Sequence, residues 1–156
     1  MDTYLDPLSP SENNGEMSYM HTAAPFNGDY RWMPIMKFPT SDASPAKVCL
    51  ALYYSSGSER QETMNVRSYP TNWDENAVTW GTKPGTPGNV LVAVPHKMIG
   101  AWYYADVTAD YINHSTAGVV GYALTKESGN YASTFASKEW AGGQYAPQLE
   151  FNSSNC

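Results

Sequence analysis

Hydrolysis of a glycoside needs two carboxyl groups about 5 Å or about 6.5–9.5 Å apart across the scissile bond. The carboxylates available are Asp74, Glu75, Asp106 and Glu139, and each sits in a motif with a structural explanation. No G-x-S-x-G elbow, P-loop or dinucleotide fingerprint occurs. His21, His96 and His114 share no ligand spacing, so a transition metal is not indicated. A hard cation needs several oxygen ligands, and Asp2, Asp6, Asn13 and Asn14 cluster near the start, with Asp106 and Asp110 a separate pair. Their spacing is not that of a calcium loop, and Asp and Asn are equally at home in turns. The expectation is no enzyme and no required cofactor, with a structural calcium ion at Asp2, Asp6 and Asn13 as the one metal admitted. Cys49 and Cys156 allow one disulfide, and two free thiols are the alternative.

The elements that must position such residues are short. A chain of 156 residues fits a single domain, taken as residues 1–156. Only 15% of residues are charged, so polarity comes instead from Ser, Thr, Asn, Gly and Tyr. The net charge of −6 disfavours nucleic acid, which requires a basic surface. The longest apolar runs, around Val48–Tyr54 and Val90–Pro95, fall far short of the roughly 20 residues of a membrane span. Met1 is followed directly by Asp2-Thr3-Tyr4-Leu5-Asp6, so either a leader has been removed or the chain is a module of a longer protein. The sequons Asn113-His114-Ser115 and Asn152-Ser153-Ser154 agree with export.

Alternation and β-rich composition predict strands at Thr3–Leu5, Met17–Thr22, Tyr30–Phe38, Ala46–Tyr54, Thr63–Ser68, Asn89–Val94, Trp102–Asp106, Gly118–Leu124, Tyr131–Ser137 and Gln148–Phe151. Val107–Asn113 reads as one helical turn capped by Asp106 or Thr108. The fold class is therefore all-β, an antiparallel β-sandwich of jelly-roll type with one short helical turn. Within Tyr30–Phe38, alternation turns Trp32, Met36 and Phe38 inward and Arg31, Met33, Ile35 and Lys37 outward. In Met17–Thr22 alternation alone leaves the faces ambiguous.

A family pattern runs along nearly the whole chain. Asp2-Thr3-Tyr4-Leu5 and Asn13-Asn14-Gly15 are followed by Arg31 leading into Met36-Lys37-Phe38. Next come Ala46-Lys47-Val48-Cys49-Leu50-Ala51-Leu52-Tyr53 and the segment Trp73-Asp74-Glu75-Asn76-Ala77-Val78-Thr79-Trp80 with Lys83-Pro84. Asp106-Val107-Thr108 with Tyr111, Phe135-Ala136-Ser137-Lys138-Glu139 and Pro147-Gln148-Leu149 complete the order. The sequence resembles DNRLRE-type domains, also called carbohydrate-binding module family 96. It departs from the family pattern at Phe38-Pro39, where the proline suggests a strand end or edge, and in a longer Ala23–Asp29 segment.

The resemblance implies a secreted or cell-surface accessory module that binds polysaccharide, and it turns Met20 and Thr22 inward and Tyr19 and His21 outward. The ligand-binding set expected is then Tyr19, His21, Arg31 and Lys37, with Trp140 in its Gly-rich loop as a second candidate. Aromatic rings cover sugar C–H faces, and the Arg fork suits a uronate carboxylate, so the polysaccharide could be acidic. Trp73, Glu75, Thr79, Trp80, Asp106 and Glu139 read as structural, with Glu75 holding backbone amides and the indoles closing one end of the sandwich. The rival reading is self-association, as a subunit of a surface layer, sheath or filament, through exposed Met33 and Ile35, the terminal strands with their unpaired edges, and a cross-linking Cys156.

Overall fold

The computed structural model describes residues 1–24, 31–41, 44–57, 63–95, 98–128 and 132–156. His96, Tyr30, Tyr131 and most of the Ala23–Asp29 loop lie outside the described residues. The ten strands are β1 (Asp2–Leu5), β2 (Tyr19–Thr22), β3 (Met33–Pro39), β4 (Val48–Gly57), β5 (Met64–Ser68), β6 (Val90–Val94), β7 (Ala101–Asp106), β8 (Val119–Lys126), β9 (Ser133–Ala136) and β10 (Gln148–Phe151). Among the described residues the one α-helix, α1, spans Thr108–His114. Each strand read from alternation is present, with ends shifted by a few residues, and so is the helical turn, although its N-cap is Val107 and neither Asp106 nor Thr108 takes the capping position.

All strand pairs are antiparallel. One sheet runs β1-β3-β8-β5-β6, and the other runs β10-β4-β9-β2 with β7 also on β4. Every connection except β5–β6 and β9–β10 crosses between the sheets, as in a jelly roll. The inner rows pack into one core: Met36 of β3, Leu50, Leu52 and Tyr54 of β4, Tyr103 of β7, Tyr122 and Leu124 of β8, and Phe135 of β9. Pro39 ends β3 opposite Val119, so its missing donor costs no interior ladder bond.

The outer face of the first sheet is not solvated. Met33 and Ile35 are fully buried, in a second core with Leu5, Tyr69, Trp73, Val78 and Ala123. This corrects the outward, exposed placement of Met33 and Ile35. Alternation assigns them to the outer face correctly, but the segment from Tyr69 to Trp80 lies across that face and covers it. The indoles of Trp73 and Trp80 therefore cap a sheet face, not an end of the sandwich. Close approach is made possible at Gly121 of β8, where an added Cβ would collide with the Tyr69 carbonyl and reach Thr71 Cγ2 at 2.9 Å.

The cover is latched to the N-terminal segment and to the residues that follow β9. Glu75, with a side chain only 9% exposed, accepts from the Asp2 amide at 2.9 Å and pairs with Lys138 Nζ at 3.1 Å. Asn13 Nδ2 donates to the carbonyls of Glu75 (2.7 Å) and Val78 (2.8 Å). Lys138 also pairs with Glu139. Glu139 Oε2 lies 2.9 Å from Ser137 Oγ, which sits 2.7 Å from the Met17 carbonyl. Thr79 closes a turn with Thr82, and Lys83 Nζ stands 3.8 Å above the Trp80 ring. At the start of α1, Asp106 Oδ1 accepts from Thr108 N and Oγ1, which holds its carboxyl below the usual range. Cys49 and Cys156 form a disulfide, which decides between the two alternatives for the thiols.

Candidate functional site

β2 is the last strand of its sheet, and its pairing with β9 sets Tyr19 opposite Ala136 and His21 opposite Thr134. Met20 and Thr22 go inward and are fully buried, leaving Tyr19 and His21 on the outer side, half-buried. Arg31 and Trp32 precede β3, which belongs to the other sheet, and reach β2 through an isolated bridge between Ala23 and Trp32. The site is thus a seam between two sheet edges, not one sheet face with β2 and β3 as hydrogen-bonded neighbours.

Four rings line this seam. Tyr4 stacks on Tyr19 at 6.5 Å with 24° between planes, and meets His21 edge-on at 5.4 Å. His21 lies 4.6 Å from Tyr19 and 5.5 Å from Trp32. The Arg31 guanidinium sits 5.2 Å from the Trp32 ring centre, and the residue is exposed. Tyr4 is buried and backs the row from the core, so the ring surface open to sugar C–H faces is that of Tyr19, His21 and Trp32, ending in a planar cation. Tyr4 and Trp32 were not expected here, because their part in the seam depends on how the two sheets meet.

The electrostatics are less basic than the residue types imply. Burial pulls the His21 imidazole down from its ordinary value, only partly offset by Asp6, so at neutral pH the ring is uncharged. Its Nδ1 lies 3.0 Å from Thr134 Oγ1. Burial, with Tyr19, Asp6 and Glu12 nearby, pushes the Tyr4 hydroxyl up to about 12. Positive charge on the strip therefore comes from Arg31.

Lys37 does not join this group. Its ammonium donates to the carbonyls of Thr71 (3.3 Å) and Trp73 and stands 4.7 Å from the Trp73 ring centre. The covering segment captures it, because the outer face on which it lies is the covered one. Trp140 is half-buried on the turn Trp140–Gly143 and makes none of the ring contacts of the strip. The oxygen-bearing residues near the start are committed to the chain itself. Asp2 Oδ1 accepts from Lys138 N, Asp6 Oδ1 from Leu8 N, and Asn13 Oδ1 from Gly15 N. Among the described residues no three His, Cys, Asp or Glu side chains gather as a metal site.

A second aromatic group was also missed. Tyr53 of β4 stacks on Tyr145 at 4.2 Å and meets Trp102 of β7 edge-on at 5.5 Å, on the outer side of the second sheet. The alternation of Tyr53 opposite the apolar row of β4 was the available signal.

The model of carbohydrate-binding module family 96 matches residues 1–153, almost the entire chain. The chain belongs to that family. No curated protein matches it. Membership makes it a carbohydrate-binding module, and no helix among the described residues is long and apolar enough to cross a membrane.

Proposed function

We propose that this module attaches noncatalytically to extracellular polysaccharide along the Tyr19–His21–Trp32 strip, with Arg31 taking the carboxylate of one acidic sugar unit. The observation that carries this reading is the run of rings ending in an exposed guanidinium stacked on Trp32. Neutral rings cover sugar faces, and the guanidinium fork adds a bidentate, charge-assisted contact. With one cation on the strip, the acidic preference rests on Arg31 and is modest.

Several observations support the noncatalytic part. Glu75 is spent on Lys138 and the Asp2 amide, Glu139 on Lys138 and Ser137, and Asp106 on Thr108. Export to the cell exterior is supported by the Cys49–Cys156 disulfide, a bond that persists in oxidising compartments. The surface-layer reading loses two of its supports, since Met33 and Ile35 are buried and Cys156 is bonded within its own chain, and keeps only the strands at the sheet edges.

Affinity electrophoresis in gels containing a polyuronate or its neutral methyl ester tests the proposal. Arg31→Ala is expected to weaken retardation by the polyuronate about tenfold while leaving the ester unchanged and lowering the melting temperature by no more than a few degrees, the scale of one ring contact. No retardation by either polymer would overturn it.

A further inference from the structure

The triplets Asn113-His114-Ser115 and Asn152-Ser153-Ser154, each an acceptor pattern for an N-linked glycan, belong to neither the strip nor the cover. The fold brings them to one pole. Asn113 stands in the last turn of α1, and Asn152 follows β10 directly. Phe151 of β10 meets Tyr111 of α1 edge-on at 5.4 Å. Phe151 pairs with Val48 of β4, whose N donates to Thr108 Oγ1 of α1 at 2.9 Å. The strip lies at the start of β3 and this pole beyond its end, where Thr40 Oγ1 donates to the Ser115 carbonyl at 2.7 Å. The seven residues of β3 set the two about 23 Å apart.

Chance produces such triplets often, and the surroundings of the amide decide whether one can carry a glycan. Both asparagines are exposed. Asn152 has a left-handed backbone, φ 54°, which Asn tolerates better than most residues. Its Oδ1 accepts from Ala46 N at 3.0 Å, so the side chain is held by its oxygen. Nδ2, the atom that takes the sugar, has no partner among the described residues. Ser154, the hydroxyl two places on, is exposed. The Asn113 side chain makes no hydrogen bond among the described residues, while Ser115 Oγ donates to the Ile112 carbonyl at 3.0 Å. That last bond belongs to the finished helix, so transfer to Asn113 precedes its closure. Each asparagine also directly follows a large apolar side chain left in water, Ile112 at 44% and Phe151 at 45% exposure. A hydrated oligosaccharide on the next residue shields such a side chain.

We propose that Asn113 and Asn152 are N-glycosylated, which gives the module a glycan-covered pole opposite its binding strip. The donor is an oligosaccharide on a lipid pyrophosphate. Its C1–O bond to phosphate breaks as C1 bonds to the asparagine Nδ2, the amide gives up one proton to a base of the transferring enzyme, and the lipid pyrophosphate leaves. The inference rests on the export part of the proposed function, which the Cys49–Cys156 bond supports, and not on sugar binding.

The test is secretion of the full chain from a eukaryotic cell line behind a cleavable signal peptide. Peptides are mapped by mass spectrometry before and after enzymatic glycan release, which leaves an aspartate wherever a glycan was carried. Two glycans are expected. Asn113→Gln and Ser154→Ala should each remove one. Ser154→Ala spares the bond from Ala46 N to Asn152 Oδ1, so its melting temperature after glycan release should equal that of the released wild type. Secreted protein with the disulfide closed and either asparagine bare would overturn the assignment at that asparagine. A chain retained in the cell, or secreted with both thiols free, would overturn the export reading and this inference with it. Polyuronate retardation, taken relative to a gel without polymer, should be the same before and after release. Stronger retardation after release would refute the placement of the glycans opposite the strip.

Discussion

Breaking the Cys49–Cys156 bond should lower the melting temperature by about 7–14 °C. The two cysteines are 107 residues apart, so the bond closes a loop comprising most of the chain. The chain-entropy relation for that separation gives about 4.8 kcal/mol at 25 °C, and native strain or residual structure commonly halves such figures. For a domain of this size each kcal/mol corresponds to roughly 3 °C. The folded state changes little on cleavage, because β10 is already paired with β4 from Gln148 to Phe151 and Asn152 N donates to the Lys47 carbonyl at 2.8 Å. The effect thus acts through the unfolded chain. Cys156→Ser is the clean variant, since Cys49 is fully buried and replacing it would add a packing loss. Calorimetric melts of this variant, and of the wild type with and without dithiothreitol, should show the same drop. A change below about 2 °C would refute the cross-link as a source of stability. So would a drop in Cys156→Ser that reduction of the wild type does not reproduce.

Three other perturbations follow from the covered face and the buried acids. Gly121→Ala drives a Cβ into the Tyr69 backbone and should cost about 1–3 kcal/mol, read as a lower melting temperature and changed Trp fluorescence as the cover lifts. Glu75→Ala strands the Asp2 amide and Lys138 and should cost about 3 kcal/mol, whereas Glu75→Gln, still an acceptor for the amide, should cost less; equal melts for the two would count against the latch. Burial raises the Asp110 carboxyl above its ordinary 3.8, so the folded state holds that proton more tightly than the unfolded chain. Its ionisation therefore removes stability as pH rises from 3.8 through the folded value, and Asp110→Asn should melt higher than wild type at pH 7 with the gain vanishing below pH 3.8. Melting curves from pH 3 to 7 check this, and a variant less stable at neutral pH would contradict it.

Strands were legible because alternation is a local property: β4 shows Val48, Leu50, Leu52 and Tyr54 on one face, and that face is the core. What covers the other face is not local. Met33, Ile35 and Lys37 share a row, yet the first two are buried and the third is bonded to Thr71 and Trp73 because a strandless segment more than thirty residues away folds over them. The Trp73–Trp80 motif was recognisable as structural, but its docking surface was not. Tyr19 and His21 were placed outward correctly, whereas Tyr4 and Trp32 enter the strip only through the way two sheets in different layers meet. Lys37 was grouped with Arg31 by parity alone, and parity does not survive a six-residue separation along a strand whose ends serve different neighbours.

The seam has a structural duty that complicates any test of its binding role. β2 is a four-residue edge strand, joined to the other sheet by the Ala23–Trp32 bridge and by ring contacts. Short edges of this kind are protected against pairing with other chains when side chains cover them. Tyr19 touches both Tyr4 and His21, and each aromatic pair contributes about 0.5–1.5 kcal/mol beyond its buried area. Tyr19→Ala should therefore cost about 2–3 kcal/mol and lower the melting temperature by several degrees, in addition to weakening polysaccharide binding. Arg31 stands exposed at the end of the strip with its guanidinium 5.2 Å from the Trp32 ring centre, so Arg31→Ala should weaken polyuronate binding far more than it lowers stability, the ring contact being worth about 0.5–1 kcal/mol. If both variants lost binding only in proportion to their loss of stability, the rings would be staples between sheets and not a sugar platform. A loss of polyuronate retardation in Arg31→Ala far out of proportion to any fall in melting temperature is the outcome that separates the two roles.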